Sequence, residues 1–222
     1  KQERLKLGLA ANVADNIKVL GGEPLLSGIV GCDRNAEDFR ALLTEAQISK
    51  EWLVEDSSRK TSLKERVVSE RQQLLRVDYE SLESIPSAIR ENVLEKVNSA
   101  LQKADALVVE DYAKGMIQKD LVQAVFERAK SLGKRTFLDP NAKTDPEVYL
   151  GAEIWTPNRA EAEALSGMKI TDQSSLVEAG EILLEKSGAS HIVITLGKDG
   201  IAAFSLDDPE VKLFPTCSQE VY

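Results

Sequence analysis

From residue 85 onward, stretches with apolar residues at helical spacing alternate with apolar runs too short to be helices. This alternation restricts the fold more than any other feature of the chain. Ile85, Ile89, Val93, Val97 and Leu101 fall on one helical face. Leu121, Val122, Val125, Phe126, Ala129 and Leu132 fall on another, and Phe39, Leu42, Leu43 and Ala46 mark an earlier helix. Shorter helices are expected from Asn158 to Leu165, ending at Gly167, and from Ser174 to Lys186, ending near Gly188. Between them lie strand-like runs at Ala106–Val109, Arg135–Leu138, Glu153–Trp155, His191–Thr195 and Ile201–Phe204. Such alternation implies parallel strands joined by right-handed crossovers, with helices covering a buried sheet. The predicted class is α/β with a mostly parallel central sheet.

Residues 52–79 break the pattern. They carry no helical stripe and read as a small β excursion, a ribbon turning at Glu70-Arg71 between "LKERVVS" and "QQLLRVD". Arg59, Lys60, Lys64, Arg66, Arg71 and Arg76 stand there against Glu65, Glu70 and Asp78, a local basic excess in a chain of net charge −9. A solvated ribbon of alternating charge accounts for this as readily as a site for a small anion such as a sugar phosphate, to which Arg offers bidentate contacts. The overall acidity argues against nucleic acid and anionic membrane as partners. No apolar run approaches the ~18 residues a membrane-spanning helix requires. Cys32 and Cys217 have neither metal-ligand spacing nor the number a disulfide framework needs, which fits a reducing cytoplasm.

In an open α/β sheet, ligands bind beyond the carboxyl ends of the strands, where loops and helix N-termini converge. All four strand ends here are polar: "EDYAKG" after the first, "DPNAK" after the second, "TPNRAE" after the third and "TLGKDG" after the fourth. Asp111, Asp139 and Glu161 bring carboxylates suited to a hard divalent cation, directly or through water. Asn158 and Glu161 also have the spacing of a helix capping box. The last bend is ambiguous by itself, because Asp-Gly is a common hairpin turn as well as a possible anion cradle. His191 opens an apolar run and is expected to be structural, as are Trp52 and Trp155.

The same stretches resemble the ribokinase-like (PfkB) carbohydrate kinases, over essentially the whole chain and in the family's order. "TPNRAEAEAL" is similar to their Asn-x-x-Glu motif and "TLGKDG" to their Thr-x-Gly-x-x-Gly nucleotide element. "GIVGCDRNAEDF" resembles their Gly-x-Asp turn into a helix, and "LAANVADNIKVLGG" the segment after their N-terminal Gly-Gly. "TSLKERVVSERQQLLRVDYE", "EDYAKG" and "LDPNAK" point more narrowly to the D-glycero-β-D-manno-heptose-7-phosphate kinases.

The resemblance implies a three-layer ribokinase-like sandwich with a β lid built from about residues 52–79. It implies ATP-dependent phosphorylation, with Mg²⁺, of the anomeric hydroxyl of heptose 7-phosphate, feeding ADP-heptose and lipopolysaccharide core synthesis. Carried over by position, Asn158, Arg159, Ala160 and Glu161 serve Mg²⁺–ATP, with Glu161 holding the metal through water, and Thr195, Gly197 and Gly200 line the nucleotide site. Asn12 contacts the sugar, Lys64, Arg66, Arg71 and Arg76 are candidates for its phosphate, and Asp111, Lys114 and Asp139 border the space between the substrates. A strand's period of two keeps all four basic residues from sharing one site. The exposed edge of the lid suits a homodimer.

Two departures stand out. Gly8-Leu9 replaces the family's Gly-Gly, so a Leu occupies a place where a permissive residue is expected. The family's catalytic Asp belongs to a Gly-rich element that would follow "CSQEVY", and the sequence stops at Tyr222. The expectation is therefore a partial kinase domain over residues 1–222, opening on Lys1 rather than Met, without its catalytic base and without activity on its own. The alternatives are a kinase of another sugar or nucleoside, and a non-catalytic sugar- or nucleotide-binding module of the same fold.

Overall fold

The computed structural model describes residues 3–69 and 72–216. Arg71, one of the basic candidates, and Cys217 lie outside the described residues, as does the expected turn at Glu70-Arg71. The chain divides into two compact units, one running to Lys103 and including Lys114–Met116, the other Ala104–Ala113 with Ile117 onward.

In the first unit the order is α1 (Ala10–Val19), β1 (Gly28–Val30), α2 (Arg34–Glu45), β2 (Leu53–Glu55), β3 (Leu63–Ser69), β4 (Gln72–Tyr79) and α3 (Ser87–Leu101). β1 and β2 pair in parallel, and Val30 and Leu53 join Ala11, Ala14, Ala36, Leu43 and Ile48 in one apolar core. The ribbon is therefore shorter than residues 52–79. Its first residues, with Leu53 and Val54 buried, belong to the parallel pair, and the antiparallel hairpin is β3–β4 alone.

Asp33 begins α2, its carboxylate accepting from the Ala36 N–H at 3.0 Å and from the Thr61 N–H at 2.9 Å. These bonds hold its carboxyl below the usual range against a burial effect of opposite sign. A Cβ on Gly31 would stand 2.5 Å from the Arg59 carbonyl oxygen, so only glycine lets the two segments approach this closely. Leu9 precedes α1 at φ +54°, a conformation that β-carbons disfavour. The Gly-to-Leu departure thus falls on a position whose backbone is indeed the kind glycine favours.

The second unit holds β5 (Ala106–Glu110), α4 (Lys119–Ser131), β6 (Arg135–Asp139), β7 (Ile154–Trp155), α5 (Arg159–Ser166), α6 (Gln173–Ser187), β8 (His191–Thr195), β9 (Ile201–Ser205) and β10 (Asp208–Phe214). They build a six-stranded sheet in the order β10-β9-β8-β7-β6-β5, parallel from β5 to β8 and antiparallel beyond. Leu138, Ile192 and Ile194 are fully buried in its core with Phe126, Tyr149, Trp155 and Leu183. Tyr149 meets Trp155 edge-on at 5.4 Å, so this tryptophan packs, as does buried Trp52 in the other unit. α5 and α6 end where the sequence predicts, at Gly167 and Gly188, both left-handed. Among the described residues no helix is long and apolar enough to cross a membrane.

Candidate active site

The parallel register sets the polar strand ends side by side. Glu110, the last residue of β5, lies opposite Asp139, the last of β6. β7 runs into Thr156-Pro157-Asn158, and an isolated parallel bridge joins Asn158 to Thr195, the last residue of β8. The Thr195 N–H donates to the Pro157 carbonyl at 2.9 Å. The "TPNRAE" and "TLGKDG" stretches are therefore neighbours at one sheet edge.

Asn158 caps α5. Its side chain accepts from the Glu161 N–H at 3.0 Å, while Glu161 Oε2 accepts from the Asn158 N–H at 2.8 Å. The Arg159 guanidinium donates to Asp199 at 2.9 Å and to the Ile170 carbonyl at 3.3 Å, tying the start of α5 to the loop after β8. Ala160 adds a small exposed side chain to the same turn. The loop itself is a hairpin connection: the Leu196 N–H donates to the Gly200 carbonyl at 2.8 Å around a short 3₁₀ turn. Gly197 and Gly200 are both left-handed, for different reasons. A Cβ on Gly200 would lie 2.0 Å from the Phe214 carbonyl oxygen, so the close approach of β10 requires glycine there. Around Gly197 nothing stands within 4 Å of that position, which leaves the backbone open to a ligand.

Three carboxylates meet at this edge. Glu110 and Asp139 share a hydrogen bond, and the charge of half-buried Glu161 reaches both. Burial, then the Glu110 and Glu161 charges, push Asp139 up to about 7; burial likewise raises Glu110. The Tyr112 hydroxyl donates to Glu110 at 3.2 Å, and burial and that carboxylate push the phenol well above its ordinary value. Glu110 and Tyr112 were not singled out by sequence reasoning. The available signal was the strand phase, since the last residue of one strand faces the last of the next.

No group of three or more His, Cys, Asp or Glu among the described residues is arranged to hold a metal ion directly. Hard oxygen donors that repel one another nevertheless fit a divalent cation held through water, which would relieve the repulsion.

The clustering of these carboxylates carries an electrostatic cost. Asp139 titrates near 7 when folded against an ordinary 3.8, so the folded state binds its proton more tightly. The associated stability is full below the lower value and is lost as pH rises through the upper one. Asp139→Asn is expected to be stabilising at pH 8 relative to pH 5 by about 1–2 kcal/mol, after allowing for water screening at a half-buried site. Chemical denaturation at the two pH values measures this; a difference of opposite sign defeats it.

Asp111 is placed differently. It is 6% exposed, and its carboxylate accepts from the Ala113 N–H at 2.6 Å, the Thr144 hydroxyl at 2.6 Å and the Tyr149 hydroxyl at 2.5 Å. Both oxygens are committed to holding the chain after β5 against the segment after β6.

In the other unit, the hairpin register gathers the basic candidates. Arg66 pairs directly with Arg76 and Lys64 with Asp78, so Lys64, Arg66 and Arg76 share one face. Arg76 holds Asp78 in a fork at 3.0 and 2.9 Å, Lys64 reaches Asp78 at 3.2 Å and Glu80 at 3.7 Å, and Lys114 reaches Glu80 at 2.5 Å. Arg59, counted in the same basic excess, instead spans the Ser81, Glu83 and Lys114 carbonyls at 2.9, 2.9 and 2.6 Å. Asn12 is exposed on the first turn of α1, with no side-chain hydrogen bond among the described residues.

Comparison with known proteins bears on this arrangement. The signature of "pfkB family carbohydrate kinase" matches residues 5–222. The chain belongs to that family of phosphotransferases. It is 36% identical over its whole length to "Bifunctional protein HldE" of Helicobacter hepaticus and 35% identical to that of Sulfurimonas denitrificans, covering 45% and 46% of those proteins. The chain thus spans about half the length of these relatives. Among solved structures, a putative ribokinase from Agrobacterium tumefaciens superposes with a TM-score of 0.74 at 20% identity, over 96% of this chain and 66% of that one. Escherichia coli phosphofructokinase-2 in complex with fructose-6-phosphate gives 0.71 at 18% identity, over 94% and 69%. The pfkB chain therefore has the ribokinase-like α/β fold.

Proposed function

We propose that the complete protein to which this pfkB chain belongs phosphorylates the anomeric hydroxyl of heptose 7-phosphate from ATP, in the cytoplasm, toward ADP-heptose and lipopolysaccharide core. The observation that carries the substrate class is the hairpin face on which Arg66 stands opposite Arg76 with Lys64 beside them. Like charges directly across a strand pair are destabilising, and an anion between them reverses that. A neutral sugar offers nothing to such a face. Similarity along the whole of this chain to about half the length of bifunctional HldE proteins supports the heptose assignment.

At the sheet edge, Glu161, Asp139 and Glu110 would hold Mg²⁺ through water, and the cation would neutralise phosphate oxygens in transfer. Asn158 fixes the turn that carries Glu161, and the open backbone at Gly197 and the Thr195 hydroxyl face the nucleotide. Asn12 contacts the sugar. The opposite face of the hairpin exposes Val67, Leu75 and Tyr79 at 44, 55 and 47%, and a second copy of the chain covers it. A monomer by sedimentation at micromolar concentration would remove that part of the proposal.

The deciding assay follows ADP release by the complete gene product with Mg²⁺–ATP. Heptose 7-phosphate, fructose 6-phosphate, fructose and ribose are compared. Strong preference for the phosphorylated heptose is expected. Preference for fructose 6-phosphate would keep the basic face and change the sugar; turnover of a neutral sugar would return the ribbon to a charged surface.

A further inference from the structure

The basic face of the hairpin is already neutralised in part from within. Asp78 lies on the same face as the cations, directly opposite Lys64, and takes two bonds from Arg76 and one from Lys64. Those contacts hold its carboxyl below the usual range despite a burial effect of opposite sign. Glu80, beyond the end of β4, bridges Lys64 and Lys114. Arg66 alone of this group has no ion-pair partner among the described residues. The face therefore presents one unpaired guanidinium beside another whose fork is filled by a carboxylate.

A carboxylate and a phosphate ester compete for the same fork of N–H donors, and the dianion with three oxygens makes the stronger charge-assisted bonds. Ion pairs at partly exposed sites are individually weak, so exchanging one costs little. We propose that Asp78 is an internal counter-ion, which the phosphate of the substrate displaces from Arg76 and Lys64. This rests on the reading of the ribbon as a phosphate-binding face. Asp78 is a specificity-determining residue: it keeps the guanidiniums ordered and neutralised in the unliganded protein. It sets a threshold that a weakly charged or neutral ligand does not cross. Glu80 stays in place and keeps Lys114 and Lys64 oriented.

The probe is inorganic phosphate, titrated into the complete gene product and followed by the Nε–H resonances of arginine and by calorimetry, with acetate as the weak-anion control. Release of Asp78 removes one competing charge, so Asp78→Asn is expected to bind phosphate about fivefold more tightly than the wild type. It is also expected to bind acetate measurably where the wild type does not. The Arg76 Nε–H resonance of the wild type should move on phosphate addition, and in Asp78→Asn it should begin displaced. Arg66→Gln and Arg76→Gln separate the two levels of inference. If they leave phosphate affinity unchanged, the ribbon does not bind phosphate and the reading beneath the proposal falls. If they weaken binding while Asp78→Asn and Asp78→Ser leave it unchanged or weaker, the face binds phosphate but Asp78 is a fixed support, and the counter-ion proposal is overturned. Asp78 is partly exposed on a two-stranded hairpin and belongs to neither apolar core, so neither replacement threatens the core.

Discussion

Asp111→Ala should lower the stability of the protein by about 2–4 kcal/mol, the largest loss expected from any single polar side chain described above. The carboxylate is buried, and truncation removes three acceptor contacts at once, from the Ala113 N–H, Thr144 and Tyr149. Tyr149 suffers most. Its ring is fully buried against Trp155, and its oxygen also accepts from the Asn141 N–H at 3.0 Å, so its hydroxyl proton has nowhere else to go. Burial and the bond to Asp111 raise the phenol well above its ordinary pKa, which keeps it a donor throughout the usual pH range. Asp111→Asn should cost less, because the amide retains one acceptor and the Thr144 hydroxyl can rotate to accept. Equilibrium urea unfolding of both variants checks the ordering. Equal stability of the wild type and Asp111→Ala would mean that Asp111 is held for a ligand rather than for the fold.

The sequence places Asp111 correctly at a strand end and says nothing about which way its carboxylate turns. Glu110 and Asp111 are adjacent acids, and only the strand phase distinguishes them. Leu107 and Val109 pack on the core, whereas Val108 is exposed, which puts Glu110 on the other face and at the register position opposite Asp139. The polar partners of Asp111 come from Thr144 and Tyr149, in a segment with neither a helical nor an alternating pattern. Elements with an uninterrupted apolar stripe, such as α4 and β8, were legible because burial of that stripe is what forms them.

β10 was not legible. "DPEVKLF" begins with an Asp-Pro that disfavours a strand, its residues are largely exposed, and its register shifts between Asp208 and Lys212. It is an edge strand, held mainly by backbone pairing to β9, with Val211 packed against the core. β1 and β2 are three residues each, too short to show a period. The hairpin, by contrast, was legible as a ribbon. Its register then resolved which basic residues can act together, something a list of charges leaves open.

In the complete gene product, Glu161→Gln should leave the fold intact and reduce kinase turnover by about 10²–10³-fold, with a raised Mg²⁺ requirement. The observed cap and the proposed cation site ask different things of this side chain. The cap needs an oxygen that accepts from the Asn158 N–H, and a Gln carbonyl supplies one. The proposed cation would need negative charge beside Asp139 and Glu110, and a Gln amide supplies none. The melting temperature should therefore stay within a few degrees of the wild type. Removing Glu161's charge should also lower the Asp139 pKa from about 7, since that charge is one of the causes holding it up. Carbon-detected NMR of the Asp139 carboxyl reads this without any substrate. Glu161→Ala removes both roles and should lose about 1 kcal/mol of helix capping in addition. Full turnover by Glu161→Gln, with normal Mg²⁺ dependence, would reduce this residue to a helix cap. It would also leave the carboxylate cluster at the ends of β5 and β6 without its proposed cation.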